Sequence, residues 1–421
     1  MNARQAAFEA LTAVTRDGAY TALALKKHLP SVFAGEDRRF ATRLVLTTLE
    51  NLIRIDYALS EFIKSARVHG SVRNILRLGA CQLLYMNVGT HAAVNESVAL
   101  AKKAKPQTSG FVNAVLRALD KGKNSIRYPE GRNAQALSVK CSYPPWMCEK
   151  YIADFGYDFA EALLSYRAPH TTTIRANTLK TTVEALEAEL KNLGLEYEKG
   201  RVPGAYAVSG LSDIESLPIY RDGWIAVQSE SAMKAVLAAG IQKGEKLLDC
   251  CAAPGGKSTY AAALAGGRLD IIAWDVHAHR IDMMRKNFER LGVSARTAEH
   301  DASSFEPTLS GHFDVVLVDA PCSASGLMAH SPDIRYTRKP EDIVSLQQLQ
   351  KEILYVCAKY VKPGGRLVYS TCSINKEENE GVTDAFIQRS LGYDYKGSPV
   401  TLYPHIENSD GFYIAVMKRH E

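Results

Sequence analysis

Two cysteines of this 421-residue chain stand where apolar, strand-like runs stop: Cys322 in VDAPCSASG and Cys372 in GGRLVYSTCSINKEENE. Asp319 lies three residues before the first. A thiolate held at the mouth of a sheet is a nucleophile, and a carboxyl beside it can hold or move a proton. The opposing reading is a pair of packed, inert thiols, the commoner fate of a single buried cysteine. What favours chemistry is that two cysteines and one acid converge on a single rim.

A second stretch, DCCAAPGGKST from Asp249 to Thr259, combines small residues with two glycines. Such a loop lets backbone amides approach a ligand at a helix N-terminus. A phosphate-cradling loop of the G-x-x-x-x-G-K-[ST] kind fits Gly256, Lys257 and Ser258, but its first glycine is replaced by Cys251. VVLVD, ending at Asp319, would supply the acidic strand of an NTPase. The alternative ligand is an adenosine-containing cofactor gripped through its ribose, which needs an acid at the end of the second strand. Asp275 in IIAWDV stands there, and Asp301 in EHDAS ends the third strand, placed to meet an adenine amino group. A lone Asp at a strand end is usually a turn or cap residue; two at successive ends beside a glycine loop favour S-adenosylmethionine.

These residues need a scaffold, and the pattern from Gly223 onward provides one. KLLDCCA, DIIAWDV, FDVVLVDAP and GRLVYSTC are apolar runs of strand length. They alternate with KSTYAAALAG, HAHRIDMMRKNFERLG and DIVSLQQLQKEILYVCAKYV, which carry helical period. The expectation is a doubly wound, mostly parallel α/β sheet over residues 223–421, with ligands beyond the carboxyl ends of its strands. Residues 1–125 read as helices throughout. In FVNAVLRALDKG, Val112, Val115, Leu116 and Leu119 repeat at helical spacing before Gly122. Lys26, Lys27, Arg38, Arg39, Arg43, Lys102, Lys103 and Lys105 form either a solvated face or one that contacts RNA. Between these parts, residues 126–222 are expected to hold a polar linker (IRYPEGRNAQALS) and a small α+β module, in which Arg175 and Asn177 either touch a phosphate or a base or serve on the surface.

A chain of this length suggests two or three domains. Its composition is 46% hydrophobic and 23% charged, with no apolar run long enough to span a bilayer. No signal-peptide layout is visible, so a cytoplasmic, reducing location is expected. Eight cysteines without CxxC or zinc-ligand spacing predict free thiols and no metal. The net charge of +5 permits a polyanionic partner without demanding one.

AAPGGKS, the Asp275 and Asp301 strand ends, DAPCSASG and STCS, in this order and spacing, closely resemble the RNA cytosine-C5 methyltransferases. The resemblance covers the chain. GACQLLYMNVGTHAAVNESVALAK and GFVNAVLRAL look like the NusB-type antitermination domain that precedes the catalytic part in the bacterial 16S rRNA enzymes of the RsmB/Sun type, and GWIAVQSESAM is similar to the segment leading into their catalytic sheet. One departure is visible: where the family usually has Gly after Ser in DxPCSG, Ala324 stands here.

The resemblance implies a multidomain protein: an all-α NusB-like bundle, a small RRM-like α+β domain and a Rossmann-like methyltransferase domain. It implies S-adenosylmethionine as cofactor, held by Cys251, Ala252, Ala253, Pro254, Gly255, Gly256, Lys257, Asp275, Asp301 and Asp319. It implies methylation of a cytosine in small-subunit rRNA, with RNA rather than DNA or a membrane as partner. Cys372 would be the nucleophile, Cys322 would assist release, and Asp319 would hold the base. The rival assignment, with Cys322 of the Pro-Cys pair as nucleophile, stays open, as do an NTPase and a non-catalytic antitermination-type RNA-binding protein.

Overall fold

The computed structural model describes residues 2–29, 35–64, 67–169, 171–211, 213–390 and 392–421. The chain falls into two compact units, Met1–Tyr166 with His330–Arg338, and Arg167–Ala329 with Lys339–Glu421.

The first unit is helical. Helices Ala3–Asp17, Thr21–His28, Gly35–Glu50, Leu52–Ser60, Gly70–Tyr85, Thr90–Ala104 and Ser109–Gly122 pack around Leu11, Leu44, Leu49, Leu76 and Leu116. Gly79 has a packing reason: a Cβ there would lie 2.5 Å from Leu116 Cδ1 and 2.8 Å from Ser97 Oγ. Part of the stretch expected to be a linker is instead the helix Ala134–Cys141, started by the Asn133 side chain, which accepts from the Ala136 amide. Helices Pro145–Phe155 and Tyr157–Ser165 follow. His330–Arg338 belongs to this unit. Arg335 is fully buried with its guanidinium 4.1 Å from the Tyr143 ring, and the Tyr336 hydroxyl donates to the Leu49 and Ser142 carbonyls.

The second unit carries two sheets. β1 (Thr171–Ala176), β2 (Tyr197–Lys199), β3 (Ala205–Ser209) and β4 (Ile225–Val227) form an antiparallel sheet in the order β2-β3-β1-β4. It is covered by helix Val183–Asn192 through Leu186 and Leu190. The larger sheet contains β5 (Lys246–Asp249), β6 (Asp270–Asp275), β7 (Arg296–Glu299), β8 (Phe313–Asp319), β9 (Val361–Thr371), β10 (Tyr393–Tyr395), β11 (Val400–Leu402) and β12 (Phe412–Arg419). Its order is β10-β12-β9-β8-β5-β6-β7, with β11 paired to β12. The five strands β9-β8-β5-β6-β7 are parallel; β12 runs antiparallel to β9, and β10 and β11 run antiparallel to β12.

The apolar runs are continuous because both faces are covered. Leu247, Val315, Leu317 and Val368 pack with Met233, Ala261, Met284 and Phe288 on one face. Leu248, Val316, Val318 and Leu367 pack with Ile353, Leu354 and Phe386 on the other. Parallel pairing brings the carboxyl ends of β5 to β9 to one edge.

Candidate active site

β5 ends at Asp249, which is fully buried and accepts a 2.6 Å hydrogen bond from the Ser258 hydroxyl. Burial pushes this carboxyl up to about 6, against the opposing pull of that hydroxyl and of Lys257. The chain then turns through Cys250 to Gly255 into helix Gly256–Leu264. Gly255 is required twice over: its φ is +96°, and a Cβ would sit 2.7 Å from the Phe288 ring.

β6 ends at Asp275, which is 3% exposed. Its Oδ1 accepts from the His277 amide, and its Oδ2 pairs with Arg280 at 3.1 Å. Arg280 also donates to the Ala253 carbonyl at 2.8 Å, so one guanidinium ties this acid to the glycine loop. Past β7, Asp301 is exposed. It caps a turn by accepting from the Ser303 amide and hydroxyl, and these bonds hold its carboxyl below the usual range.

At the end of β8, Asp319 accepts from Lys257 Nζ at 2.5 Å on one oxygen and from the Ser370 hydroxyl at 2.8 Å on the other. Ser370 is its cross-strand partner on β9. Just beyond these strands, Cys322 and Cys372 bring their sulfurs to 3.2 Å of each other, each partly exposed. The adjacent Cys372 sulfur, then burial, then the nearby Glu378 charge hold the Cys322 thiol well above the ordinary cysteine value. The loops are also joined through backbone, the Gly326 amide donating to the Cys372 carbonyl at 2.9 Å.

The structure thus brings together Cys322, Cys372, Asp319 and Lys257, with Asp275 at a neighbouring strand end and Asp301 in an exposed turn. Arg175 and Asn177 do not face a ligand: both are 1% exposed. Arg175 donates to the Gln228 and Thr259 side chains, and Asn177 to the Gly223 and Leu291 carbonyls, so they join the small sheet to helices Gly256–Leu264 and Ala278–Leu291 of the larger layer. Arg280, Ser370 and Glu378 escaped the sequence reading. The one signal available for the last was that a serine follows each cysteine.

The donor set fits an adenosyl cofactor better than a triphosphate. Carboxylates stand at the strand ends, while Lys257 and Arg280, the cations beside the glycine loop, are each already neutralised by an acid. Among the described residues, no group of three or more His, Cys, Asp or Glu gathers to hold a metal ion.

Three family profiles match the chain: the NusB family over residues 1–121, the ferredoxin-like domain of RsmF/B-like methyltransferases over 143–210, and the 16S rRNA methyltransferase RsmB/F over 236–418. A probable ribosomal RNA small subunit methyltransferase B from Bacillus subtilis is 32% identical, over 99% of this chain and 98% of its own length. The crystal structure of the protein PH0851 is 25% identical, covers 99% of this chain and 98% of its own, and superposes with a TM-score of 0.85. That of a methyltransferase homologue from Pyrococcus horikoshii is 27% identical, covers 68% and 98%, and gives 0.60.

Proposed function

The chain belongs to the RsmB/F family of 16S rRNA methyltransferases, and from that premise we propose that it moves a methyl group from S-adenosylmethionine to carbon 5 of a cytosine in small-subunit rRNA, through a transient bond between Cys372 Sγ and carbon 6 of the base. The observation that carries this reading is the 3.2 Å approach of Cys322 and Cys372 at the mouth of β8 and β9, beside Asp319.

Carbon 5 of cytosine is too weak a nucleophile to attack a methyl donor unaided. A thiolate adding at carbon 6 turns the ring into an enamine and places electron density on carbon 5. Cys372 makes that bond. Asp319 and Lys257 together offer one acceptor and one donor, matching the exocyclic amine and ring N3 of cytosine. Ser370 fixes the second carboxylate oxygen, so the pair meets the base with its geometry already set. The AAPGGKS loop, Asp275 and Asp301 hold S-adenosylmethionine, which supplies an electrophilic methyl on a sulfonium. After transfer a base takes the carbon-5 proton, its electron pair forms the C5–C6 double bond, the S–C6 bond breaks, and Cys372 departs as thiolate. Cys322, which retains its proton beside that sulfur, assists release. A base must be unstacked to reach these sulfurs, so a loop or single-stranded cytosine is the target.

The test is incubation with methyl-labelled donor and unmodified 16S rRNA, followed by digestion to nucleosides. Label in 5-methylcytidine is expected, and label elsewhere or nowhere overturns the reading. Heat protection by S-adenosylmethionine but not ATP separates it from an NTPase.

A further inference from the structure

Beneath the two sulfurs lies a carboxylate for which the chemistry above has no use. Glu378 is 0% exposed, and five neutral donors converge on it. Its Oε1 accepts from the Ser323 amide at 2.7 Å and the Gln350 side chain at 3.1 Å. Its Oε2 accepts from the hydroxyls of Ser323 at 2.5 Å and Ser373 at 2.6 Å, and from the Asn375 side chain at 2.9 Å. None of the five is a cation. Burying a carboxylate is costly even when it is fully hydrogen-bonded, and an apolar residue of similar volume would close this space at less expense.

The donors come from two places. Ser323 directly follows Cys322, and Ser373 directly follows Cys372. The same carboxylate oxygen therefore holds the residue after each cysteine, while the two serine hydroxyls lie 3.3 Å apart. Gln350 extends the grip to the other side of Cys322 by donating to the Pro321 carbonyl at 2.9 Å. Glu378 is itself anchored, its carbonyl accepting from the buried Tyr369 hydroxyl at 2.7 Å.

We propose that Glu378 is a positioning residue of this enzyme, a charged clamp that sets the separation of Cys322 and Cys372 by holding Ser323 and Ser373 on one oxygen. The proposal rests on the two-cysteine reading above. Its negative charge adds a second effect, because it opposes ionisation of Cys322. Deleting the carboxylate frees the two loops from one another and removes that bias.

The experiment compares full-length wild type with Glu378→Gln and Glu378→Ala. Alkylation by iodoacetamide at pH 8, read at each cysteine by peptide mass, needs no RNA. The Cys322-to-Cys372 labelling ratio is expected to rise about fivefold or more in both variants, since one unit of thiol pKa is roughly tenfold in thiolate. With rRNA, kcat is expected to fall about 100-fold while KM for the methyl donor stays within about twofold. If Glu378→Ala does not fold, Ser323→Ala and Ser373→Ala each remove one arm while keeping the charge, and each should lower kcat with KM for the methyl donor unchanged. An unchanged ratio together with unchanged kcat overturns the proposal. So does a fall in kcat matched by equal losses in donor affinity and thermal midpoint, which marks a purely structural part. Wild type that transfers no label sinks the cytosine reading instead, and the labelling ratio still decides the role of Glu378.

Discussion

Lys257 Nζ lies 2.5 Å from Asp319 Oδ2, joining the first turn of the helix after the glycine loop to the end of β8. One cation thereby links the glycine loop and the acid that we propose holds the base, and it is withdrawn from any phosphate. Asp319 is about one-third exposed, so the pair's direct contribution to stability is small, about 0–1 kcal/mol. Asp319→Asn is therefore expected to leave the thermal midpoint nearly unchanged while lowering methyl transfer about 10²- to 10⁴-fold. A variant that melts early but turns over normally would show that the pair serves the fold and not the reaction.

The two cysteines should separate cleanly by function. Cys372→Ala is expected to form no RNA adduct on a denaturing gel and to transfer no methyl. Cys322→Ala is expected to accumulate the adduct, because addition at carbon 6 proceeds while release is slowed. Swapped behaviour would transfer the nucleophilic role to Cys322, and peptide mapping of the trapped species identifies the sulfur directly.

Asp249 gives a pH signature that needs no substrate. Its folded-state carboxyl sits at about 6, raised by burial above the ordinary aspartate value. A raised acid contributes stability that is complete below the unfolded value near 3.9, and that contribution is lost as pH rises through about 6. The buried charge then costs about 3 kcal/mol at most by pH 7. Asp249→Asn keeps an acceptor for the Ser258 hydroxyl and carries no charge. Relative to wild type, it should gain stability between pH 4.5 and pH 7, measured as urea midpoints. A difference that does not change with pH would remove Asp249 as the source.

What could be read from the residues follows the physics of each element. β5, β6, β8 and β9 were visible because both faces are buried, which makes their sequences continuous apolar runs ending in chemically distinctive residues. The strands β10 and β11 were not, since three residues are too few to show a period, and the apolar run FYIAVM of β12 ends in no chemically distinctive residue. The helix Ala134–Cys141 hid inside a polar stretch, although Asn133 is a good N-cap and marks its start. Arg175 and Asn177 looked like surface contacts because their types are usually exposed. Only the fold reveals carbonyls and hydroxyls waiting for them inside. Glu378 carried no local signal of its role, because Ser323, one of the two serines it holds, lies 55 residues away.

Ala324 offers a last test, in the loop that carries Cys322. It holds φ 60° and ψ 28°, the left-handed region that costs a residue with a Cβ about 1–2 kcal/mol. The loop has little freedom to relax. The Leu327 amide donates to the Ala324 carbonyl at 2.9 Å, and a Cβ on Gly326 would lie 2.1 Å from the Gly411 carbonyl oxygen. Ala324→Gly removes the strain but frees the unfolded chain by about 0.4–1 kcal/mol, so the net gain is about 0.5–1 kcal/mol. For a protein of this size, that raises the thermal midpoint by about 1–3 °C. Methyl transfer should stay within about twofold, because the bonds that hold Cys322 in place come from backbone groups and from Ser323, which the substitution leaves intact. A lower midpoint would mean that the methyl of Ala324 makes packing contacts worth more than the strain it carries.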